Sequence, residues 1–183
     1  MMRKEVILAG FGGQGVLSMG KNLVEAGLEE GMEVIWIPSY GPEMRGGTAN
    51  CSVILSHERI GSPVVEKPTE VIAMNRPSLF KFEKDVQPGG TVFINSSIVE
   101  DKVTRTDIQA VYVPCDDIAK EIGNKKVANM VMLGAYVAVT GVLKMETIRH
   151  MIHEMFAGKK EKLIPMNLEA VERGGAAAEF PLL

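Results

Sequence analysis

Six short apolar runs alternate with amphipathic segments along the first two thirds of the chain. The runs are rich in β-branched residues and are bounded by glycine, proline or asparagine, which predicts β-strands at 5–9, 33–37, 48–55, 70–74, 91–95 and 110–114. Helical spacing of apolar residues predicts helices at 17–29 and 77–84. We expect 33–37 to be buried. Run 48–55 has one partly polar face, which favours a strand nearer the sheet edge.

After residue 114 the pattern is helical. Asp116 and Asp117 are well placed to cap and complement a helix N-terminus. The stretch 127–143 holds 17 residues without a charge, bracketed by Lys125, Lys126 and Lys144. As a helix it would be about 26 Å long, less than a bilayer core of about 30 Å, so we expect a helix buried in the core or against a partner. A further helix is predicted at 145–156.

This alternation predicts a three-layer α/β/α Rossmann-like domain with a largely parallel sheet. A length of 183 residues with 46% hydrophobic residues predicts one domain, 1–173. The segment 174–183 is predicted to be a loose C-terminal tail. No secretory signal precedes the first strand, so we expect a cytoplasmic protein with no membrane partner.

Charge and cysteine content narrow the functions. The chain has 20 Lys+Arg against 23 Asp+Glu, which disfavours nucleic acid as a partner. Its two cysteines, Cys51 and Cys115, exclude a four-cysteine zinc site or an iron–sulfur cluster held by this chain alone. Cys115 is interpreted as a helix-entry residue. His150 and His153 are interpreted as a solvated helix face, so no metal site is expected.

The loop 10–15 has glycines in G-x-G-x-x-G register at Gly10, Gly12 and Gly15, between a predicted strand and a predicted helix. Backbone N–H groups and the positive end of a helix favour an anion there. A nicotinamide dinucleotide site also needs an acidic residue at the end of the second strand, which instead ends at Ser39. Three alternatives stay open: glycines for a tight turn alone, a small-anion-binding domain, or a stand-alone NAD(P)-type oxidoreductase.

A second glycine-rich loop, 40–47, follows the second strand. Loops after neighbouring parallel strands open on the same edge of a sheet, so we expect both loops to face one crevice. Arg45 lies between glycines and has a planar guanidinium suited to phosphate or carboxylate.

Five motifs together resemble the gamma subunit, or gamma domain, of the 2-oxoacid:ferredoxin oxidoreductases, which act on pyruvate, 2-oxoglutarate, branched-chain 2-oxoacids or indolepyruvate. The motifs are AGFGGQGV at 9–16, SYGPEMRGG at 39–47, TANCSVILS at 48–56, AMN at 73–75 and NMVMLGA at 129–135. Arg76 departs from the family pattern, in which glutamine commonly follows AMN.

The resemblance implies a non-catalytic subunit of a catalytic complex. Thiamine diphosphate with Mg and the iron–sulfur clusters would lie on partner subunits, and electrons would pass to ferredoxin. The implied partners are alpha and beta subunits and a ferredoxin-like delta subunit. This chain would bind no cofactor alone and would help form a coenzyme A site shared with its partners. When isolated, it could form a homodimer.

The resemblance also implies the site residues, none of them catalytic. Gly12, Gly13, Gln14 and Gly15 would approach coenzyme A phosphates or pantetheine. Arg45 would supply charge from the second loop, in which Glu43, Gly46 and Gly47 are also predicted to belong to the site, with the glycines allowing close backbone approach. Lys21 matches a lysine of the single-chain enzymes, and its alternative interpretation is an exposed helix lysine.

Overall fold

The computed structural model describes residues 2–39 and 48–178. These residues form one six-stranded sheet with helices on both faces. The strands are β1 (Arg3–Phe11), β2 (Glu33–Ser39), β3 (Thr48–Ser56), β4 (Glu70–Ala73), β5 (Thr91–Asn95) and β6 (Gln109–Val113). The α-helices are α1 (Val16–Glu29), α2 (Arg76–Phe82), α3 (Cys115–Ile122), α4 (Ala128–Thr140), α5 (Met145–Met155) and α6 (Ile164–Ala176).

The strand order is β2-β3-β1-β4-β5-β6. The strands β1, β4, β5 and β6 pair in parallel, whereas β3 pairs antiparallel with both β1 and β2. The predicted α/β/α fold with a largely parallel sheet is therefore confirmed. Because β3 lies between β1 and β2, the two strands that we expected to be neighbours are separated.

The predicted positions of two strands in the sheet are wrong. The strand at 33–37 is β2, the half-exposed edge strand, in which Ile37 is 42% exposed. The strand at 48–55 is β3, an interior strand with Val53 fully buried. Helix α1 packs on the face of β3 that carries Cys51 and Val53. The polar residues Asn50 and Ser52 alternate onto the other face, so their polarity reflects that face and not an edge position.

Two cores flank the sheet. The larger lies under α1 and α3 to α6, and the smaller lies under α2 on the opposite face. Helix α4 is at the centre of the larger core, where Tyr136 packs edge-on against Phe93 with ring centroids 5.3 Å apart. The predicted buried helix is thus confirmed in the domain core. It ends at Thr140 because Gly141 adopts a left-handed conformation, with φ 59°.

Helices α4 and α6 cross at two glycines. A Cβ atom on Gly134 would lie 2.0 Å from the carbonyl oxygen of Val171, and one on Gly174 would lie 1.9 Å from that of Val131. The two backbones are therefore in direct contact. Because this crossing holds α6 in place, the helix continues to Ala176, so the first three residues of the predicted loose tail are helical. Residues 179–183 lie outside the described residues.

Within residues 2–39 and 48–178, every helix is too short or too polar to cross a membrane.

Candidate functional site

The glycine loop lies at the carboxyl edge of the sheet, between β1 and α1. After β1 the chain enters α1 on one face of the sheet, and after the neighbouring β4 it enters α2 on the other. The chain thus leaves these adjacent parallel strands in opposite directions. In open α/β sheets, such a switch point leaves a crevice in which ligands bind.

Gln14 bridges the two sides of this crevice. Its Oε1 accepts the backbone N–H of Phe11 at 2.7 Å, and its Nε2 donates to the carbonyl oxygen of Met74 at 3.0 Å. The amide of Asn75 also donates to Gln14 Oε1 at 3.5 Å, and Asn75 caps α2 by accepting the Ser78 N–H at 2.9 Å. Since its amide is engaged within the protein, Gln14 fixes the position of the loop.

Two other motifs hold the end of the loop. Gly15 has φ +75°, and the Asn129 amide donates to its carbonyl oxygen at 3.3 Å. A Cβ on Gly15 would lie 2.6 Å from Asn129 Nδ2, so glycine is needed for both the conformation and the contact. On the other side, the Cys51 thiol donates to the carbonyl oxygen of Val16 at 3.6 Å. The motifs at 48–56, 73–75 and 129–135 therefore all contact the glycine loop or the first turn of α1.

The loop keeps groups open for a ligand. Gly13 has φ +98°, and no described atom lies within 4 Å of a Cβ placed there. The N-cap of α1, Gly15, has no side-chain capping bond, and the first turn of this helix has no acidic residue. Uncapped N–H groups with the positive helix end favour an anion over a cation.

A cavity of about 240 Å³ opens beside the loop. It lies among the glycine loop, the end of β4 and the starts of α3 and α4, and is lined by Gly13, Gln14, Met74, Asp116, Lys125, Lys126, Ala128 and Asn129. Pockets that enclose a drug-sized ligand have volumes of about 300–1,000 Å³. This cavity therefore suits one group of a large ligand, with the remainder lying outside it.

The acidic wall of the cavity is fixed by hydrogen bonds. Asn95 donates to the Asp116 carboxylate at 2.6 Å and accepts the backbone N–H of Cys115 at 3.2 Å. The N-cap of α3 is Pro114, with no side-chain capping bond. The prediction that Asp116 and Asp117 cap this helix is therefore wrong, whereas the prediction that they complement its N-terminus is confirmed, because both lie in its first turn.

The predicted site residues fall into three groups. Gly12, Gly13, Gln14 and Gly15 lie at the crevice, as their loop does. Lys21 is 62% exposed, pairs with Glu25 at 3.4 Å and does not line the cavity. The residues of the second loop, Glu43, Arg45, Gly46 and Gly47, lie outside the described residues.

The second loop connects β2 and β3, and β2 ends and β3 begins at the sheet edge where the glycine loop lies. Both β1 and β2 run antiparallel to β3, so their carboxyl ends share this edge, and Thr48 is the register partner of Phe11. The end of β2, however, lies two strands from β1, at about 9–10 Å for a strand spacing of about 4.8 Å. That separation, with no acid at Ser39, disfavours a dinucleotide ribose site.

The departure at Arg76 has a local explanation. Its guanidinium donates to both carboxylate oxygens of Asp101, at 2.7 and 3.2 Å, and lies 4.8 Å from the ring centroid of Phe80. Arg76 does not line the cavity.

Neither cysteine has the environment of a nucleophile. Burial raises the pKa of Cys51 to about 11, and burial followed by the nearby Asp116 carboxylate raises that of Cys115. His150 lies on an exposed face and contacts the Glu29 carboxylate at 2.9 Å. Across residues 2–39 and 48–178, no three His, Cys, Asp or Glu side chains are grouped to hold a metal ion.

Sequence reasoning missed Lys125 and Lys126 as site residues. The sequence marks them only as the charged boundary of an apolar helix. Their placement beside Gly13 depends on tertiary structure, because α4 begins more than 100 residues after the loop.

Three comparisons place this structure among known proteins. Residues 5–177 match the family model described as pyruvate ferredoxin/flavodoxin oxidoreductase. The ketoisovalerate oxidoreductase subunit VorA of Methanothermobacter marburgensis is 46% identical over 171 residues, which are 92% of this chain and 35% of that protein. The chain therefore spans about a third of that relative's length.

Two solved structures share the fold. The gamma subunit of a keto/oxoacid ferredoxin oxidoreductase from Geobacter sulfurreducens has a TM-score of 0.81 and 28% identity, over 95% of this chain and 97% of that one. The 2-oxoglutarate:ferredoxin oxidoreductase of Magnetococcus marinus, with 2-oxoglutarate, coenzyme A and succinyl-CoA bound, has a TM-score of 0.89 and 24% identity, over 97% of this chain and 31% of that one. The chain thus belongs to the pyruvate ferredoxin/flavodoxin oxidoreductase family and has the fold of its gamma subunits.

Proposed function

We propose that this chain acts as the gamma subunit of a thiamine diphosphate-dependent 2-oxoacid:ferredoxin oxidoreductase and helps to form its coenzyme A site. The complex oxidatively decarboxylates a 2-oxo acid to an acyl-CoA and passes two electrons to ferredoxin. In this proposal, thiamine diphosphate, Mg and the iron–sulfur clusters are held by partner subunits.

One observation carries the coenzyme A assignment. The family's glycine loop borders a cavity of about 240 Å³ whose lining includes two lysines. A phosphate or diphosphate group matches this volume and charge, whereas the whole ligand exceeds it. Coenzyme A has both a diphosphate and a 3′-phosphate, and the rest of the molecule would extend onto a partner subunit.

The side-chain inventory supports a non-catalytic role for the chain. The sequence has only two cysteines, and both are buried singly. The chain alone therefore has too few thiolates for a four-cysteine cluster. Electron transfer and attack on the 2-oxo acid are accordingly assigned to other chains.

The test starts from the complex in the cells that make the protein. A tag on this chain should recover alpha, beta and ferredoxin-like chains, and the assembled material should reduce ferredoxin with a 2-oxo acid only when coenzyme A is present. The isolated chain should be inactive. Turnover of a 2-oxo acid by the isolated chain, or turnover by the complex without any coenzyme A, would contradict the proposal.

A titration separates this function from the nicotinamide alternative. Coenzyme A and NAD(H) are each added to the isolated chain and to the complex. We expect the complex to bind coenzyme A and neither preparation to bind NAD(H) at micromolar concentration. Micromolar NAD(H) binding by the isolated chain would favour a stand-alone oxidoreductase.

A further inference from the structure

Lys125 and Lys126 lie on a turn whose backbone is fixed. They begin a short 3-10 helix, Lys125–Val127, directly before α4. The Asn124 side chain accepts the Lys126 N–H at 3.0 Å, and Val127 is buried in the larger core. The two lysine side chains are exposed and line the cavity. The turn thus presents two exposed ammonium groups from a hydrogen-bonded backbone.

These lysines are not neutralised by the protein. Among the residues that the structure describes, neither forms an ion pair, whereas Lys4, Lys21 and several arginines do. The one acidic residue in the cavity lining is Asp116, which is bound by Asn95. Two positive charges and one negative charge therefore border the cavity.

The lysines share the cavity with the open part of the glycine loop. Gly13 leaves free space on the loop side, while Gln14 and Asn129 hold the loop in position through their hydrogen bonds. An anion in this space contacts backbone and ammonium groups together, and the Asp116 carboxylate disfavours its placement on the α3 side.

We infer that Lys125 and Lys126 form the phosphate-binding wall of this cavity and, with the glycine loop, take a phosphate or diphosphate group of the ligand. The inference rests on the proposed function for the identity of that ligand, coenzyme A. It assigns the charge to the start of α4, a different element from α1, which carries Lys21.

The experiment compares K125A/K126A with K159A/K160A in the assembled enzyme. The second pair is also two adjacent, exposed lysines and removes the same charge from a turn that does not line the cavity. Steady-state rates are measured with coenzyme A and with pantetheine, which has the thiol but no phosphate. Subunit content and melting temperature are measured for every variant.

We expect K125A/K126A to raise the KM for coenzyme A about tenfold, since charge-assisted contacts to a phosphate are lost. The KM for pantetheine and for the 2-oxo acid should stay the same, and K159A/K160A should match the wild type. The charge-retaining K125R/K126R should bind coenzyme A nearly as well as the wild type does. The effect should also shrink at high salt, where screening already weakens the contact.

Several results would overturn the inference. One is an unchanged KM for coenzyme A in K125A/K126A. A second is an equal increase of the KM for coenzyme A and for pantetheine in that variant. A third is an equal increase of the KM for coenzyme A in the control K159A/K160A. If K125A/K126A does not assemble, K125R/K126R provides the test, and loss of coenzyme A binding in that assembled variant would also contradict the inference. If the wild-type complex needs no coenzyme A, the proposed function fails, whereas coenzyme A dependence with an unaffected K125A/K126A defeats only the lysine assignment.

Discussion

Replacing Gly174 by alanine should destabilise the fold, while the same change at the adjacent Gly175 should not. A Cβ on Gly174 would lie 1.9 Å from the Val131 carbonyl oxygen, whereas one on Gly175 would lie 3.2 Å from its nearest neighbour, the Ala138 Cβ. Both residues are in α6, so the two variants gain similar helix propensity, about 1 kcal/mol each.

The cost at Gly174 can be worked from the crossing. Real Cβ atoms do not approach other atoms closer than 3.0 Å, so α6 must move about 1 Å away from α4. A gap of about 0.5–1 Å removes a quarter to a half of the dispersion energy between the atoms that face it. The facing side chains of Val131, Ala135 and Val171 are fully buried. Overpacking costs about 1–3 kcal/mol, and a clash with backbone favours the upper end of that range. A cost of about 3 kcal/mol, less the gain of about 1 kcal/mol in helix propensity, leaves about 2 kcal/mol of net destabilisation.

Urea unfolding of the isolated chain, followed by circular dichroism, measures this difference. Gly174→Ala should lower the unfolding midpoint at an unchanged slope, and its melting temperature should fall by about 4–8 °C for a chain of this size. Gly175→Ala should match the wild type or exceed it. If the two variants are equally stable, the direct contact between the α4 and α6 backbones is refuted.

Two further predictions concern the site. Gln14→Leu removes the hydrogen bonds to Phe11 and Met74 and should lower the free energy of unfolding in urea by about 1–2 kcal/mol. The control Gln109→Leu, at an exposed position, should leave the stability unchanged. Equal effects of the two substitutions would refute the bridging role of Gln14. Both cysteines should resist iodoacetamide at pH 8 in the folded chain and react after unfolding. With a pKa of about 11, Cys51 is a thiolate in about one molecule per thousand at pH 8. Mass spectrometry counts the labelled cysteines, and rapid labelling of the native chain would contradict the prediction.

Local patterns in the sequence predict most elements of the fold because periodicity and turn residues act over a few positions. The alternation of strand and helix signals predicted the three-layer arrangement, and the uncharged stretch predicted α4. Sheet order depends instead on pairings between distant segments. The polar residues Asn50 and Ser52 could indicate either an edge strand or a face without a helix, and only the pairing of β3 with both β1 and β2 distinguishes them.

Composition alone also fails to show that α6 extends to Ala176. The run of small residues from Gly174 suggests a loose tail, yet Gly174 lies in α6 and its missing side chain leaves room for the α4 backbone. In the site, the glycine loop could be predicted because its motif is contiguous. The lysines of the cavity wall could not, since nothing in their local sequence links them to a loop more than 100 residues earlier.

The antiparallel insertion of β3 has a consequence for biosynthesis. β1 is paired along its whole length by β3, from Arg3 with Ser56 to Phe11 with Thr48, and on its other side by β4. A nascent chain that has emerged only through β2 therefore lacks both ladder partners of the strand that carries the glycine loop. Non-local pairings of this kind slow folding, because chain entropy is lost before the contacts form. The glycine loop is thus translated before both partner strands of β1 and becomes ordered only after those strands have left the ribosome.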